Sequence, residues 1–538
     1  MSKDQKDPVL DGLIAGAKSK KVSRRHFMEG ALAMGLTVSA ASALWSKKVE
    51  AATPKAGGHF RVGLDDGNTT DSLDPATYEG MFQICTSHTH RNYLTEITPE
   101  NVVGGELCES WEASDDATVW RLNLRKGAEF HNGKTFTAND VLASLNHHRG
   151  EDSKSAGKAL LESVEEIKAE DENTVVVTLK SGSADFPYVL TDYHFVMLPS
   201  DGEGNVDWSA DAGSGGYVLD EWEPGIRASF KKFPNYWKEG RAHFDSVEFL
   251  AIPDVNARQT ALKTGDLNAM IEVDLKTVDL LARDDNVIID EVASGTHITL
   301  PMHTDVAPFD NNDVRLALKY AMDRQGALDK VLRGHGTLGN DQPIGAVLPY
   351  YAEGLEQRQY DPDKAKFHLK QAGMENLKVD LSASDVPMPG GVDLSILFQE
   401  SAKAAGIELN VIREPNDGYW SNVWLVKPFC LCSWGQRPTP DVMFSLAYAK
   451  GAAWNDTHFD NERFNQLLIE ARAELDDTKR AEMYFEMQQI LRDEGGTIIP
   501  FFRNYVYARR ADIQHDEAVS GNWALDGARG AERWWQSS

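Results

Sequence analysis

The chain has 538 residues, 41% hydrophobic and 26% charged, with 55 lysines and arginines against 83 aspartates and glutamates for a formal net charge of −28. That length exceeds one ordinary core and accommodates two or three domains, and the composition is that of a soluble globular protein, not a disordered one. The acidic balance excludes a nucleic-acid partner, whose phosphates recruit clustered lysine and arginine; it serves solubility first and only weakly implies a cationic ligand.

The N-terminal stretch reads as an address. "SRRHFM" (23–28) precedes a mostly apolar run over residues 31–44, followed by "VEA" (49–51), with small residues where a signal peptidase reads. The run is shorter than the roughly 20 apolar residues of a membrane span, so it is a signal h-region and not an anchor. A buried helix with a basic flank would explain neither the paired Arg24 and Arg25 nor the cleavage pattern. Twin arginines before a modest h-region resemble the Tat signal, which exports proteins already folded. The expectation is a Tat signal over residues 1–51, cleavage after Ala51, and a soluble periplasmic product. No cysteine lies near the cut, so no lipid anchor is indicated.

In the first half of the remaining chain, Trp120, Leu122 and Leu124 alternate as in a half-buried strand. Asn132-Gly133 marks a tight turn, Thr137 with Asp140 a capping box, and "NTVVVTLK" (173–180) another strand. Farther on, Val314, Ala317, Leu318, Ala321 and Met322 recur at helical spacing, with Asp313 as the expected cap and Gly334 as the stop. From Leu377 the order is "LKVDLSASD", a helical "VDLSILFQESAKAAG", "IELNVI", a helix through "GYWSNVWL", then "PFCLCSW". This alternation of strand and helix is that of a doubly wound α/β lobe. Open α/β sheets bind ligands beyond the carboxyl ends of their strands. "WGQRPTPD" (434–441) and "SASD" (382–385) both leave such ends, so both loops should border one crevice.

Of the four cysteines, Cys430 and Cys432 lie two apart on one strand face, where a disulfide would be strained. With Cys85 and Cys108 they form no CxxC spacing, which weakens redox and zinc readings.

Five segments, in order, resemble the large extracellular solute-binding proteins of bacterial ABC importers, the dipeptide- and oligopeptide-binding class. They are "GELCESWEASDDATVWRLNLRKGAEFHNGKTFTANDV", "GSGGYVLDEWEPGIRASFKKFPNYWKEG", "IPDVNARQTALKTGDLNAMIE", "FDNNDVRLALKYAMDRQGALDKVLRGHG" and "CSWGQRPTPD". The resemblance runs from about Gly57 almost to the end. It implies an α/β, two-lobed periplasmic-binding-protein fold with an extra subdomain on the first lobe and a ligand cleft between lobes. The implied division is 52–100 and 213–302 in the first lobe with the C-terminal segment 503–538, 101–212 as the extra subdomain, and 303–502 as the second lobe. Two or three strands would cross as a hinge. The implied partners are a small-molecule ligand and the transmembrane permease subunits, with the binding protein itself a monomer and no cofactor.

In peptide-binding members an aspartate of the segment matching "WGQRPTPD" pairs with the peptide's α-ammonium. Aligned on the final Pro-Asp, that position is Gln436, followed by Arg437, and neither can replace a carboxylate. An arginine suits bidentate capture of a carboxylate or phosphate. The departure favours an anionic or zwitterionic solute, such as an opine-like conjugate, a modified peptide or a sugar acid. The expected ligand contacts are Arg437 as anionic anchor, Trp434 as apolar wall and Gln436 as hydrogen-bonding neighbour, with Tyr78 and Asp385 behind them. Asp441 is the alternative partner for Arg437, while Trp420 and Trp424, at i, i+4 spacing, read as core.

Two other classes have hooks. "SAGK" (155–158) and "KTG" (263–265) match two motifs of penicillin-recognising serine hydrolases, but no S-D-N intervenes, and Gly265 reads as a helix stop. His88 and His90, with His147 and His148, offer a metal or haem reading, weak without a carboxylate or cysteine at ligand spacing.

Overall fold

The computed structural model describes residues 24–33, 54–155, 157–209, 212–416 and 418–537. The helix Arg24–Ala33 holds the paired arginines; the rest of the expected signal, with its cleavage point, lies outside the described residues.

Chain start and chain end meet in one sheet. Its seven strands run in the spatial order Val287–Val292, Tyr505–Arg510, Ala269–Met270, His59–Leu64, Ser246–Ala251, Arg227–Lys232 and Tyr217–Glu223. His59–Leu64 is parallel to both its neighbours, and the remaining pairs are antiparallel. Phe60, Val62 and Leu64 share one face, as a period of two requires, and bury against Phe82, Phe244 and Trp534. A second, antiparallel sheet orders Cys108–Ala113, Val119–Leu124, Thr174–Leu179 and Val164–Asp171, covered by the helix Ala138–His147. The alternation at Trp120, Leu122 and Leu124 faces that core. The capping box forms as expected, with Thr137 and Asp140 satisfying each other's backbone.

The other lobe holds the strands Gly336–Leu338, Phe501–Arg503, His297–Pro301 and Cys432–Trp434 in that order. The parallel pair Leu377–Ala383 and Ile407–Arg413, joined by the crossover helix Gly391–Lys403, adjoins it through a bridge from Ser382 to Cys430. His297–Pro301, placed with the first lobe on sequence, pairs instead with Cys432–Trp434 in the second. The helix expected to run unbroken to Gly334 is two helices. Asn311, not Asp313, caps Asn312–Ala321, Met322 turns extended, and Asp323 caps Arg324–Val331. Asp323 accepts the Gly326 N–H at 2.9 Å, a local bond that competes with continuing the first helix.

Two chain crossings link the sheets among the described residues, 293–296 and the step from Arg503 to Tyr505. They are bonded to each other. The Ser294 hydroxyl donates to the Arg503 carbonyl at 2.7 Å, and the Arg503 N–H donates to the Thr296 carbonyl at 2.8 Å.

The first lobe is held by a buried ionic hub. Arg529, in the C-terminal tail, forks onto both oxygens of Glu106 at 2.8 and 2.9 Å and reaches Glu532 at 3.1 Å. Lys238 lies 3.0 Å from Glu96, 3.2 Å from Glu106 and 3.0 Å from Glu532. Arg533 pairs with Glu96 and Asp526. Burial alone would push the Glu96 and Glu532 carboxyls up, but the surrounding cations hold both below the usual range. Arg529→Met should therefore strand Glu106 and Glu532 beside too few cations and cost about 3–5 kcal/mol, the loss typical of breaking a buried pair. Thermal unfolding of the unliganded protein checks this; a change under about 1 kcal/mol, the worth of a surface pair, would refute the hub.

Candidate functional site

Trp434 ends its strand directly opposite His297, close to the crossing. The loop that follows is anchored at both ends. Gln436 Oε1 accepts the Gly295 N–H at 2.6 Å, and Thr439 caps the helix Pro440–Ala447. Arg437 is half-buried between them. Its Nη1 donates to the Gly435 and Gln436 carbonyls at 3.1 and 3.2 Å, and the guanidinium lies 6.0 Å from the Trp434 ring centre. Among the described residues no carboxylate stands within 4.0 Å of it. Burial lowers its pKa, opposed by the charges of Tyr193 and Asp192. Tyr193 packs edge-on against Trp523 at 5.8 Å, and burial pushes its phenol up to about 12. Asp192 is itself engaged by His194 Nδ1 at 2.6 Å.

Asp441 is not the partner of Arg437. It receives the Arg472 Nε–H at 3.0 Å, and burial raises its carboxyl to about 6. That pair adjoins a contact between the lobes: Asp185, from the four-stranded unit, meets Arg480 at 2.6 Å with both side chains buried. The Ala184 N–H donates to the Arg472 carbonyl at 2.7 Å beside it. The lobes are therefore closed on this side.

Trp434, expected as an apolar wall, is only 5% exposed and packs in a core cluster of the second lobe, with a polar group behind it. Its ring and those of Trp424 and Trp454 form a triangle with every centroid separation 6.1 Å. The Trp424 and Trp434 indole N–H groups both donate to Asp456 Oδ2, at 3.0 and 3.3 Å. Asp456 is buried, and burial raises its carboxyl to about 6 against these donors. Trp420, expected in the core, is 44% exposed, since its helix spans only Tyr419–Asn422.

The expected contacts do not all converge. Asp385 borders a separate interlobe cavity of about 810 Å³, lined from the first lobe by Asp65, Arg258 and Glu272 and from the second by Lys330 and Asp393. Tyr78 does not face the cleft. Its ring is buried, its hydroxyl donates to the Leu73 carbonyl at 3.1 Å and accepts from Arg91 at 2.6 Å, so it braces the first lobe. Tyr193, Trp523, Trp454 and Asp456 were missed because each sits in a loop without periodicity. The available signal was aromatics beside loop-forming residues, as in "TDYHF" and "SGNWALDG".

The hydrolase hook has no matching geometry. Ser155 Oγ lies 2.6 Å from His148 Nδ1, yet burial lowers His148 to about 3, far from a working general base. Lys158 points to the Glu151 and Ser153 carbonyls, and Gly265 ends a helix at φ 84°. His88 and His90 are buried on the helix Met81–His90 against the Ile84 and Tyr217 carbonyls, both held well below the ordinary histidine range by burial. His147 pairs with Asp74 at 2.7 Å. All four cysteines are buried and free.

Residues 102–456 match the bacterial extracellular solute-binding proteins, family 5, middle region. The chain is 28% identical over 354 residues to a glutathione-binding protein of Salmonella choleraesuis, covering 65% of this chain and 66% of that one. It is 25% identical over 452 residues to the dipeptide-binding protein of Escherichia coli K12, covering 76% and 82%. A solved structure of HbpA2 from Haemophilus parasuis superposes with a TM-score of 0.78 at 19% identity, over 87% of this chain and 99% of that one. That likeness shows the two-lobed fold.

Asp456 gives a test of the wall. Its carboxyl rises from 3.8 to about 6, so the folded state keeps a proton that the unfolded chain releases. That contribution is complete below about pH 4 and is lost as pH rises through about 6. Asp456→Asn, which keeps an oxygen for the indoles, should flatten the fall in stability between those values by on the order of 2–3 kcal/mol. Denaturant unfolding across that pH range measures it, and an unchanged slope would refute the assignment.

Proposed function

We infer the function from one premise: the chain belongs to the bacterial extracellular solute-binding proteins, family 5. It captures a small polar organic solute between its lobes and delivers it to the permease of an ABC importer. No helix among the described residues is long and apolar enough to cross a membrane. The twin arginines support export by the Tat route to the periplasm, where the protein works as a monomer. Replacing both Arg24 and Arg25 by lysine should leave the precursor in the cytoplasm, which fractionation and blotting would show.

The observation that carries the ligand class is Arg437, a half-buried cation with no carboxylate paired to it among the described residues. An enclosed charge needs a partner. A ligand carboxylate supplies it, and dipeptides and glutathione, for which the relatives are named, carry one. Trp434 and Trp523 frame the apolar part, and Gln436 holds the loop by accepting the Gly295 N–H. Ligand then acts by bridging both lobes and shifting an open–closed equilibrium by a few kcal/mol of differential affinity.

Mass spectrometry of the co-purifying solute identifies the ligand. With it in hand, Arg437→Ala should cost on the order of 2–5 kcal/mol of binding, as truncating one side of a buried charge pair does. Melting of the unliganded protein should barely move. Preserved affinity with a lowered unliganded Tm would remove Arg437 as anchor and the preference for an acidic solute with it.

A further inference from the structure

Away from the cleft loop, His303, Asp305 and His458 place one ligand atom each within 4.8 Å of one another. We propose that these three residues form a site for a single late first-row divalent cation, with Zn²⁺ the reference ion and a fourth position open to water.

Two loops meet here and are already laced by backbone bonds. The Thr304 N–H donates to the Thr457 carbonyl at 2.8 Å, the Thr304 hydroxyl to the His458 carbonyl at 3.2 Å, and the His303 N–H to the Pro428 carbonyl at 2.9 Å. Backbone held this way brings the three side chains together before binding, so that only side-chain rotations remain to be ordered. The imidazoles of His303 and His458 stack at 4.0 Å, and His458 Nδ1 lies 2.9 Å from Asp305 Oδ1. His303 is 6% exposed and fixed, whereas Asp305 and His458 are exposed and can turn toward an ion arriving from solvent. Zinc bonds of about 2.0–2.1 Å set tetrahedral ligands about 3.3 Å apart, so side-chain rotations that close the widest separation by at most roughly 1.5 Å, and open the 2.9 Å His458–Asp305 pair slightly, complete the set. Two imidazoles and one carboxylate suit Zn²⁺, Ni²⁺ or Cu²⁺, while Mg²⁺ and Ca²⁺ prefer all-oxygen shells.

The site has a structural consequence. The loop bearing His458 also bears Asp456, which receives the Trp424 and Trp434 indoles. A cation joining His458 to His303 fastens that loop to the chain leaving His297–Pro301, the strand that Trp434 lies against. Loading therefore stiffens the tryptophan wall without touching the solute.

The experiment is calorimetric titration of EDTA-stripped protein with ZnCl₂, paired with thermal unfolding with and without the ion. One equivalent should bind saturably and raise the Tm, as an ion that binds only the folded state must. His458→Gln and Asp305→Asn should each weaken uptake tenfold or more and abolish the rise, with the ion-free Tm unchanged because both side chains are exposed. His303→Gln should do the same to uptake; if that buried change impairs folding, His458→Gln alone decides. His335→Gln, at a histidine paired with Glu291 at 2.9 Å, should leave uptake intact. Absence of a saturable equivalent, or equal uptake by the His458→Gln protein, overturns the proposal.

Discussion

The first lobe depends on charges that cannot be left unpaired. Glu106 is fully buried, and its two oxygens are shared among Arg529, Lys238, Asn92 and the Tyr93 N–H. These groups come from segments more than 400 positions apart along the chain. A buried carboxylate without its cation is far worse than an apolar residue in the same place, so a partly assembled hub opposes the fold. The lobe is therefore complete only once residues 526–533 have docked, and with them the strand Tyr505–Arg510 inserted between Val287–Val292 and Ala269–Met270. A strand from late in the chain thus completes the sheet that His59–Leu64 opens. Such a lobe suits a protein proposed to cross its membrane already folded.

The same electrostatic rule distinguishes two of the arginines that the second lobe turns toward the first, Arg480 and Arg437. Arg480 meets Asp185 at 2.6 Å and stacks near Tyr350 and Tyr484, and Asp185 raises its pKa. Arg437 donates to two backbone carbonyls and lies 6.0 Å from the Trp434 ring, and among the described residues no carboxylate pairs with it. One is neutralised within the protein and holds the lobes together at the rim. The other has no such partner among the described residues, which is the basis of its proposed role. A pair fixed within the protein cannot report on ligand, whereas an unpaired one changes its energy when a ligand anion arrives.

How much of this was legible in the sequence follows from which interactions are local. The alternation at Trp120, Leu122 and Leu124, the capping box of Thr137 and Asp140, and the strand–helix–strand run from Leu377 are set by neighbours a few residues apart, and all appear as read. The break at Met322 was missed because the apolar period continues through it, while Asp323 offers a competing local cap. Tyr78 was misplaced for the opposite reason, since its burial comes from Arg91 and from contacts no periodicity encodes. Tyr193 and Trp523 meet at 5.8 Å across 330 positions, and that meeting belongs to the tertiary fold alone. The departure at Gln436 and Arg437 could be read because it requires only the motif's spacing.

The position of Gln436 joins these threads. Its side chain accepts from Gly295, in the crossing between the lobes, and that crossing is bonded through Ser294 and Thr296 to the other one at Arg503. The loop bearing Arg437 is thus tied to the segment that must change its dihedrals when the lobes move. A carbon on Gly295 would lie 3.0 Å from the Gln436 oxygen and 3.1 Å from its γ-carbon, so the glycine permits the approach on which the tie relies. Since Gln436 stands where peptide-binding relatives are expected to carry an ammonium-pairing aspartate, its exchange does two things at once. It removes the group that would favour a cationic terminus, and it places a neutral acceptor where the hinge backbone needs one. On the proposed reading, anion capture by the next residue would act on a loop tied directly to the crossing between the lobes, so binding and closure would share one short backbone path.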